Sequence, residues 1–260
     1  MNRFPGGSSA ATARSNAKWR KALLAILFGG AATAAPRAWA AAALQIAPVL
    51  LEIPAGGATT SLNIVNQDSR PAAVQFRLFR WRQSEGAETL TPTEDVVASP
   101  PIATVGPRAN LTVRVIRVAS GAVASEESYR LVVDQLPDNG GGGRSIVSIL
   151  LRQVLPVFFE PAEPGSPDVV WSLGRVRHNY VLRARNSGGR RLRIARLALS
   201  RDGASVALGG GLFGYALAHS DMSWTLPAQR ASFAAGARVT LRGDSDVGVL
   251  RASALVTAGP

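Results

Sequence analysis

The apolar and polar positions of this chain alternate over short segments, and the longest apolar segment spans residues 145–159. Read at period two, one face of this segment carries Val147, Ile149 and Leu151, and the other carries Ile146, Leu150 and Val154. A strand that is apolar on both faces is either covered by two layers or leaves one apolar row for another molecule. Pro156 removes one ladder hydrogen bond, which favours an edge position. The pattern therefore predicts a long apolar edge strand, which is normally an aggregation hazard.

Shorter alternating segments, separated by turn residues, fill the rest of the chain from Leu44 onward. The predicted strands are residues 44–53, 60–65, 73–82, 111–116, 129–136, 169–173, 180–186, 191–200, 205–208, 238–242 and 248–256. No segment shows a period of 3.6 over three helical turns. Short strands at this spacing predict an all-β protein built from sandwiches.

A cluster of proline and glycine residues predicts where the first sandwich ends. Residues 161–167 contain three prolines and a glycine and read as a stiff, non-helical linker. We therefore predict an N-terminal sandwich at residues 41–160, a linker at 161–167 and a C-terminal sandwich at 168–260.

The first forty residues have the pattern of a secretory signal peptide. Basic residues are followed by an apolar region at residues 22–35 and by the small-x-small sequence Ala38-Trp39-Ala40. The apolar run is shorter than the roughly twenty residues of a membrane span. We expect cleavage after Ala40 and export to the periplasm, and an uncleaved anchor is the alternative.

Charge and composition argue against some classes of function and of binding site. Residues 1–40 hold six of the 29 basic residues and none of the 17 acidic ones, so the remaining chain carries a net charge of +6. No basic run is interleaved with aromatic residues, which argues against a nucleic-acid partner. The chain has no cysteine, so disulfides and thiolate metal sites are excluded.

Catalytic patterns are weak. The two histidines, His178 and His219, lie far apart in sequence and have no acid-rich motif beside them. Gly209, Gly211 and Gly214 match the spacing of a dinucleotide loop, but no βαβ setting surrounds them. We therefore predict a protein that is not an enzyme and that holds no metal and no cofactor.

Several ordered motifs resemble a known family. The chain contains LQIAPVLLEIPAG, FRLFRWRQ, ASPPIATVGP, SYRLVVDQLP and VLPVFFEP in that order, followed by FGYAL. This order resembles the periplasmic PapD-like pilus-assembly chaperones, most closely their archaic, Csu-type branch. The resemblance implies two immunoglobulin-like domains that bind pilin or fimbrial subunits and deliver them to an outer-membrane usher.

The resemblance also implies a donor strand. In the family, strand G1 fills the groove left by a missing strand of the subunit, and G1 corresponds here to residues 145–159. Val147, Ile149 and Leu151 would supply the apolar row, and burying each side chain contributes about 1.5–3 kcal/mol before ordering costs. The alternative is that these three side chains face the core of their own domain.

A second implied site is an anchor for the carboxylate of the subunit. The better-known branch uses an Arg and a Lys at positions that correspond here to Leu50 and Pro156, and neither residue can bind an anion through its side chain. In the archaic branch an Arg in the SYRL motif takes this role, which corresponds to Arg130. The alternative for Arg130 is a solvated strand residue.

Two functional hypotheses follow. The first is a periplasmic chaperone that captures pilin subunits through G1 and that self-associates through the G1 edge when unloaded. The second is a secreted immunoglobulin-like adhesin or structural binding protein. A donor strand should not tolerate charge at Val147, Ile149 and Leu151, whereas an adhesin should.

Overall fold

The computed structural model describes residues 44–137, 150–177, 179–227 and 233–258. Over these residues the chain forms strands and turns with no helix, so the all-β prediction is confirmed. The predicted signal peptide, Val147, Ile149 and His178 lie outside the described residues.

The described residues form eighteen strands. In chain order they are β1 (Leu44–Ala47), β2 (Leu51–Ile53), β3 (Thr59–Asn66), β4 (Ala72–Ser84), β5 (Ala87–Pro92), β6 (Val96–Ser99), β7 (Ile102–Val105), β8 (Asn110–Arg117), β9 (Glu127–Gln135), β10 (Arg152–Phe159), β11 (Val169–Val176), β12 (Asn179–Asn186), β13 (Leu192–Arg201), β14 (Ala204–Ala207), β15 (Leu212–Ala216), β16 (Ser220–Pro227), β17 (Arg238–Ser245) and β18 (Gly248–Thr257).

The strands before residue 160 form two sheets that enclose one core. The first sheet has the order β1-β3-β8-β6, and the second has the order β2-β10-β9-β4-β5, with β7 also paired to β4. Alternate residues of both sheets point inward, among them Leu62, Val74 and Val113, which are fully buried. This is the two-layer arrangement that period-two patterns produce.

The strands after residue 168 form a third sheet around a second core. Its order is β14-β13-β17-β18-β11-β12-β16, and β15 also pairs with β13. Leu173, Leu182 and Val239 lie in its core and are fully buried. The strands on either side of the predicted linker therefore belong to different sheets. The assignment of separate domains at residues 41–160 and 168–260 stays a prediction.

The structure differs from the predicted strands in three places. The segment 44–53 is two strands, β1 and β2, which belong to different sheets. Strands β5, β6, β7, β15 and β16 were not predicted as strands. Within the predicted G1 segment, the described strand begins at Arg152 rather than Ser145, because residues 150 and 151 are not in a strand and residues 145–149 lie outside the described residues.

Candidate functional site

Strand β10 is an edge strand over part of its length. All eight of its residues pair with β9 on one side. On its other side, only residues 157–159 pair with β2, in parallel. Within the described part of the chain, residues 152–156 therefore have no strand on that side, and the main-chain groups of residues 152, 154 and 156 that point there lack a strand partner, as β-augmentation requires.

The two faces of this strand differ in burial. Leu151 is half-buried and packs on the core that also contains Leu155 and Val157. On the opposite face, Leu150 and Val154 are 40% and 44% exposed. Leu151 thus lies on the core-facing row, which is where the alternative interpretation of the sequence placed it. Its role in a partner's groove stays a prediction.

A carboxylate ties this edge to its neighbours. Asp134 on β9 accepts hydrogen bonds from Arg152 on β10 and from Arg77 on β4, each over 2.5 Å. Burial alone would raise the pKa of Asp134, but these two hydrogen bonds and the charges of the arginines outweigh it and hold the pKa below its ordinary value. The pairing therefore cross-links three adjacent strands while Asp134 is ionised.

Arg130 lies directly across the β9–β10 ladder from Pro156. Cross-strand partners project to the same face of a sheet, so the side chain of Arg130 lies on the same face as the ring of Pro156. The Cζ atom of Arg130 lies 3.5 Å from the centroid of the Trp81 ring and 5.8 Å from that of Tyr215. Arg130 is half-buried, and burial lowers the pKa of its guanidinium from the ordinary value.

No carboxylate of the described residues lies within ion-pair distance of Arg130. Most other arginines near this edge do have acidic partners: Arg77 and Arg152 share Asp134, and Arg117 pairs with Glu127. The charge of Glu88 acts on Arg130 from beyond ion-pair distance, so the guanidinium that is stacked on Trp81 is oriented and keeps donors for an anion.

The aromatic rings beside Arg130 form a small cluster where the second and third sheets meet. Trp81, Phe158, Tyr215 and Leu217 are buried there, and the ring centroids of Trp81 and Tyr215 are 5.4 Å apart. Leu50, one of the two positions without an anchor side chain, packs against this cluster. The cluster therefore joins the sheet that carries β10 to the sheet that carries β15.

Polar contacts extend the same junction. The Gln83 side chain donates to the carbonyl of Tyr215 over 2.9 Å and accepts from the backbone N–H of Leu217 over 2.9 Å. At the β4–β5 turn, the backbone N–H of Ser223 donates to the carbonyl of Gly86 over 3.1 Å. These bonds satisfy backbone groups that would otherwise be buried without a partner.

Arg191 is the second cation of the junction. It forms ion pairs with Glu126 and Glu52, and its Cζ atom lies 3.7 Å from the centroid of the Phe158 ring. Burial raises the pKa of Glu126 in spite of the attraction of Arg191. Unlike Arg130, Arg191 forms ion pairs with two acids of its own chain through its two terminal nitrogens, while its buried Nε atom has no hydrogen-bond partner among the described residues.

The sequence did not identify the residues that hold Arg130. Trp81 and Tyr215 belong to the FRLFRWRQ and FGYAL motifs, which were noted only as similarities, and 134 residues separate Gln83 from Leu217. A signal was present, because large aromatic residues inside polar segments often mark contacts between layers.

Other candidate chemistry finds no support in the described residues. His219 is exposed in a turn, and no group of three His, Asp or Glu side chains there could hold a metal ion. The residues Gly209 and Gly211 lie in a connection, and Gly214 lies in β15. No helix of the described chain has the length and apolar character needed to cross a membrane.

Comparison with known proteins identifies the fold. A family model described as pili and flagellar-assembly chaperone, PapD N-terminal domain, matches residues 43–164. A search of curated protein sequences found no match.

Solved structures of similar shape come from pilus systems. One is the CsuC–CsuE chaperone–tip adhesion subunit pre-assembly complex from the archaic Csu pili of Acinetobacter baumannii, with 22% identity, a TM-score of 0.65, and coverage of 83% of this chain and 100% of that chain. Another is the SafA pilin in complex with the SafB chaperone of Salmonella enterica, with 14% identity, a TM-score of 0.56, and coverage of 82% and 94%. A third is the E. coli chaperone DraB, with 16% identity, a TM-score of 0.54, and coverage of 82% and 99%.

These matches agree with the all-β strand order and establish the predicted fold of two immunoglobulin-like sandwiches. Residues 43–164 belong to the PapD N-terminal domain family of pili and flagellar-assembly chaperones.

Proposed function

We propose that this protein is a periplasmic chaperone that captures pilin-like subunits by donating strand G1 and hands them to an outer-membrane usher. The family is one of chaperones rather than of enzymes. The observation that carries the proposal is the combination of an edge that is open on one side at residues 152–156 with the guanidinium of Arg130, which lies opposite Pro156 and forms no ion pair with a described acid.

The edge supplies the main-chain half of donor-strand binding. β-Augmentation requires free N–H and C=O groups on one strand and alternate apolar side chains that enter pockets of the partner. We assign the second requirement to Val147, Ile149 and Leu151. Leu151 directly precedes β10 and is partly buried against the core of its own domain. In the sequence, the same row of alternate residues continues through Ile149 to Val147.

Arg130 supplies the anchor in this proposal. A C-terminal carboxylate accepts two parallel hydrogen bonds from a guanidinium fork, and the stacking on Trp81 fixes the plane of that fork. Because Leu50 and Pro156 replace the anchor pair of the better-known branch, we place this chain with the archaic branch.

The partners follow from the relatives. The solved complexes named above contain a tip adhesion subunit and a pilin, and we propose pilin or fimbrial subunits as the clients of this chain. Export to the periplasm rests on the signal-peptide pattern of residues 1–40. An unloaded chain would expose an apolar edge, so we expect it to self-associate through G1.

The test is co-expression of the tagged chain with small, strand-rich secreted proteins encoded beside it. Ile149→Asp/Leu151→Asp should abolish a one-to-one complex, because a charge cannot enter an apolar groove without a partner. The matched control is Leu150→Asp/Val154→Asp, which places the same charges on the opposite, exposed face. Circular dichroism and thermal melting establish that both variants are folded.

The outcomes separate the hypotheses. Loss of the complex in the first variant and retention in the second supports the donor row. Retention of the complex in both variants means that G1 is not the donor. If the wild-type chain binds no such subunit, the adhesin hypothesis takes precedence.

A further inference from the structure

One outward face of the third sheet is crowded with arginine. The strand register places Arg238 and Arg242 of β17, Arg251 of β18, and Arg183 and Arg185 of β12 on the same side. The opposite side of these strands holds the core residues Val239, Leu241 and Leu182, which are fully buried. We call the five arginines, together with Val170 and Leu255, the arginine face.

Two acidic residues of the described chain lie on this face, and neither forms an ion pair with any of the five arginines. Asp244 lies on it but is paired with Arg196, and Asp221, opposite Arg185, accepts a hydrogen bond from the backbone N–H of Glu85 over 3.0 Å. None of the five arginines forms an ion pair within the described part of the chain. Two of them contact only hydroxyl groups: Arg183 donates to Ser223 over 3.3 Å, and Arg238 donates to Ser253 over 3.2 Å.

Arg242 and Arg251 are direct cross-strand partners, and both side chains are exposed. Like charges directly opposite each other destabilise a sheet. No acid of the described residues lies within ion-pair distance of either guanidinium to offset that cost. A partner that brings carboxylates to the pair would convert the repulsion into attraction.

Two apolar side chains occupy the middle of the arginine face. Val170 is 66% exposed and lies opposite Arg185, and Leu255 is 51% exposed and lies between Arg238 and Ser172. An apolar centre with a polar rim is the anatomy of a protein–protein interface, and arginine is among the residues enriched there. A nucleic-acid surface would also need aromatic stacking groups, which this face lacks.

We propose that the arginine face binds an acidic protein surface whose carboxylates surround an apolar centre. The guanidinium forks of Arg242, Arg251 and Arg185 would receive the carboxylates, and Val170 and Leu255 would be covered by apolar side chains of the partner. The face lies on the third sheet and not on β10, so this interaction is additional to subunit capture.

The test uses the full chain and two fluorescent peptides. The first peptide has glutamates flanking a central pair of leucines, and the second has the same charge with serines in place of the leucines. Arg242→Glu/Arg251→Glu should weaken binding of the first peptide by at least about tenfold. The matched control, Arg82→Glu/Arg114→Glu, changes the net charge equally at two exposed arginines of the first two sheets and should change the affinity by less than about twofold.

Two further measurements make the proposal specific. Leu255→Ser should weaken binding of the leucine peptide and leave binding of the serine peptide unchanged. Arg251→Glu alone should raise the melting temperature by about 1–3 °C, because it replaces a like-charge pair with Arg242 by an opposite-charge pair.

Three results would overturn the proposal. The first is an equal effect of the two double variants on peptide affinity, which would indicate only general electrostatics. The second is a melting temperature that is unchanged or lowered in Arg251→Glu. The third is that Arg242→Glu/Arg251→Glu no longer binds phosphatidylglycerol vesicles but binds the peptides with unchanged affinity, which would assign the face to lipid. Subunit capture by Arg242→Glu/Arg251→Glu should equal that of the wild type, which separates this proposal from the donor-strand mechanism.

Discussion

Arg191 and Glu126 form an ion pair in which each side chain is only 1% exposed. The pair links the residue before β9 to the residue before β13, at the point where Phe158 is also buried. Its acid and its cation are 65 residues apart in sequence, so it stabilises the contact between sheets rather than a local turn.

Arg191→Met should therefore destabilise the protein by about 3–5 kcal/mol, because Glu126 would be left as a buried charge without a partner. The measurement is urea unfolding followed by tryptophan fluorescence. The control is Arg201→Met, which removes an ion pair with the exposed Asp202 and should cost at most about 1 kcal/mol. In the double variant Arg191→Met/Glu126→Met much of the loss should be recovered, and a purely additive loss would contradict the buried-pair explanation.

Asp134 should make the β9–β10 edge sensitive to acid. Its pKa in the folded protein is below the ordinary value, so its contribution is fully present above that ordinary value and is lost as the pH falls through the folded pKa. Wild type should be more stable than Asp134→Asn at pH 7, and the difference should shrink as the pH falls from the ordinary carboxyl value through the lower pKa of the folded protein. Urea midpoints across this range test the prediction. Asp202→Asn controls for the loss of one negative charge, and a wild-type advantage that persists in acid would contradict it.

Gly188 should be the least replaceable glycine near the linker. A Cβ atom at this position would lie 2.2 Å from the carbonyl oxygen of Ser166 and 2.5 Å from the backbone nitrogen of Asp168. Because both atoms belong to the backbone, Gly188→Ala should cost about 1–3 kcal/mol or displace the linker. Gly209→Ala is the matched control, since a Cβ atom there meets nothing within 4 Å. Equal melting temperatures of the two variants would show that the linker does not press on Gly188.

If Arg130 binds the carboxylate of a subunit, Arg130→Gln should weaken subunit binding by at least tenfold, because the loss of one partner of a buried charge pair costs about 2 kcal/mol or more. Arg130→Lys should restore only part of the affinity, since an ammonium lacks the planar fork. Binding is measured by titration of a purified subunit, once with a free C-terminus and once with an amidated one. An equal effect of Arg130→Gln on both forms would exclude the carboxylate as the ligand.

The alternation of apolar and polar residues was enough to predict the core strands but not their partners. Strand β4 alternates strongly, and its prediction from residues 73–82 agrees closely with the observed Ala72–Ser84. Every residue of β5 is exposed, so this strand carries no alternation that could reveal it. In the segment 44–53 the buried positions change from even numbers in β1 to odd numbers in β2, and this change of parity marks the crossing between sheets.

The candidate site was predictable only in part. Periodicity defined two apolar rows near Leu150 and Leu151, but it could not say which row faces the core, because each row carries three large apolar side chains at residues 146–154. Arg130 was named through the resemblance, and its position opposite Pro156 follows from the ladder register. The contacts of Arg130 with Trp81 and Tyr215 depend on how two separate sheets meet, which local patterns do not encode.

Pro156 limits how far a partner strand can form main-chain hydrogen bonds along the open edge of β10. The backbone N–H of Gln135 donates to the carbonyl of Leu151 over 2.8 Å, so residue 151 directs its main-chain groups towards β9, and residues 152, 154 and 156 direct theirs towards the open side. At position 156 that side offers a carbonyl but no N–H. A partner strand that pairs along this edge therefore finds no N–H donor at position 156, which is the cross-strand partner of Arg130. If Arg130 binds the C-terminal carboxylate of a subunit, as we propose, the end of strand pairing and the anchor of the chain end would lie in the same cross-strand row.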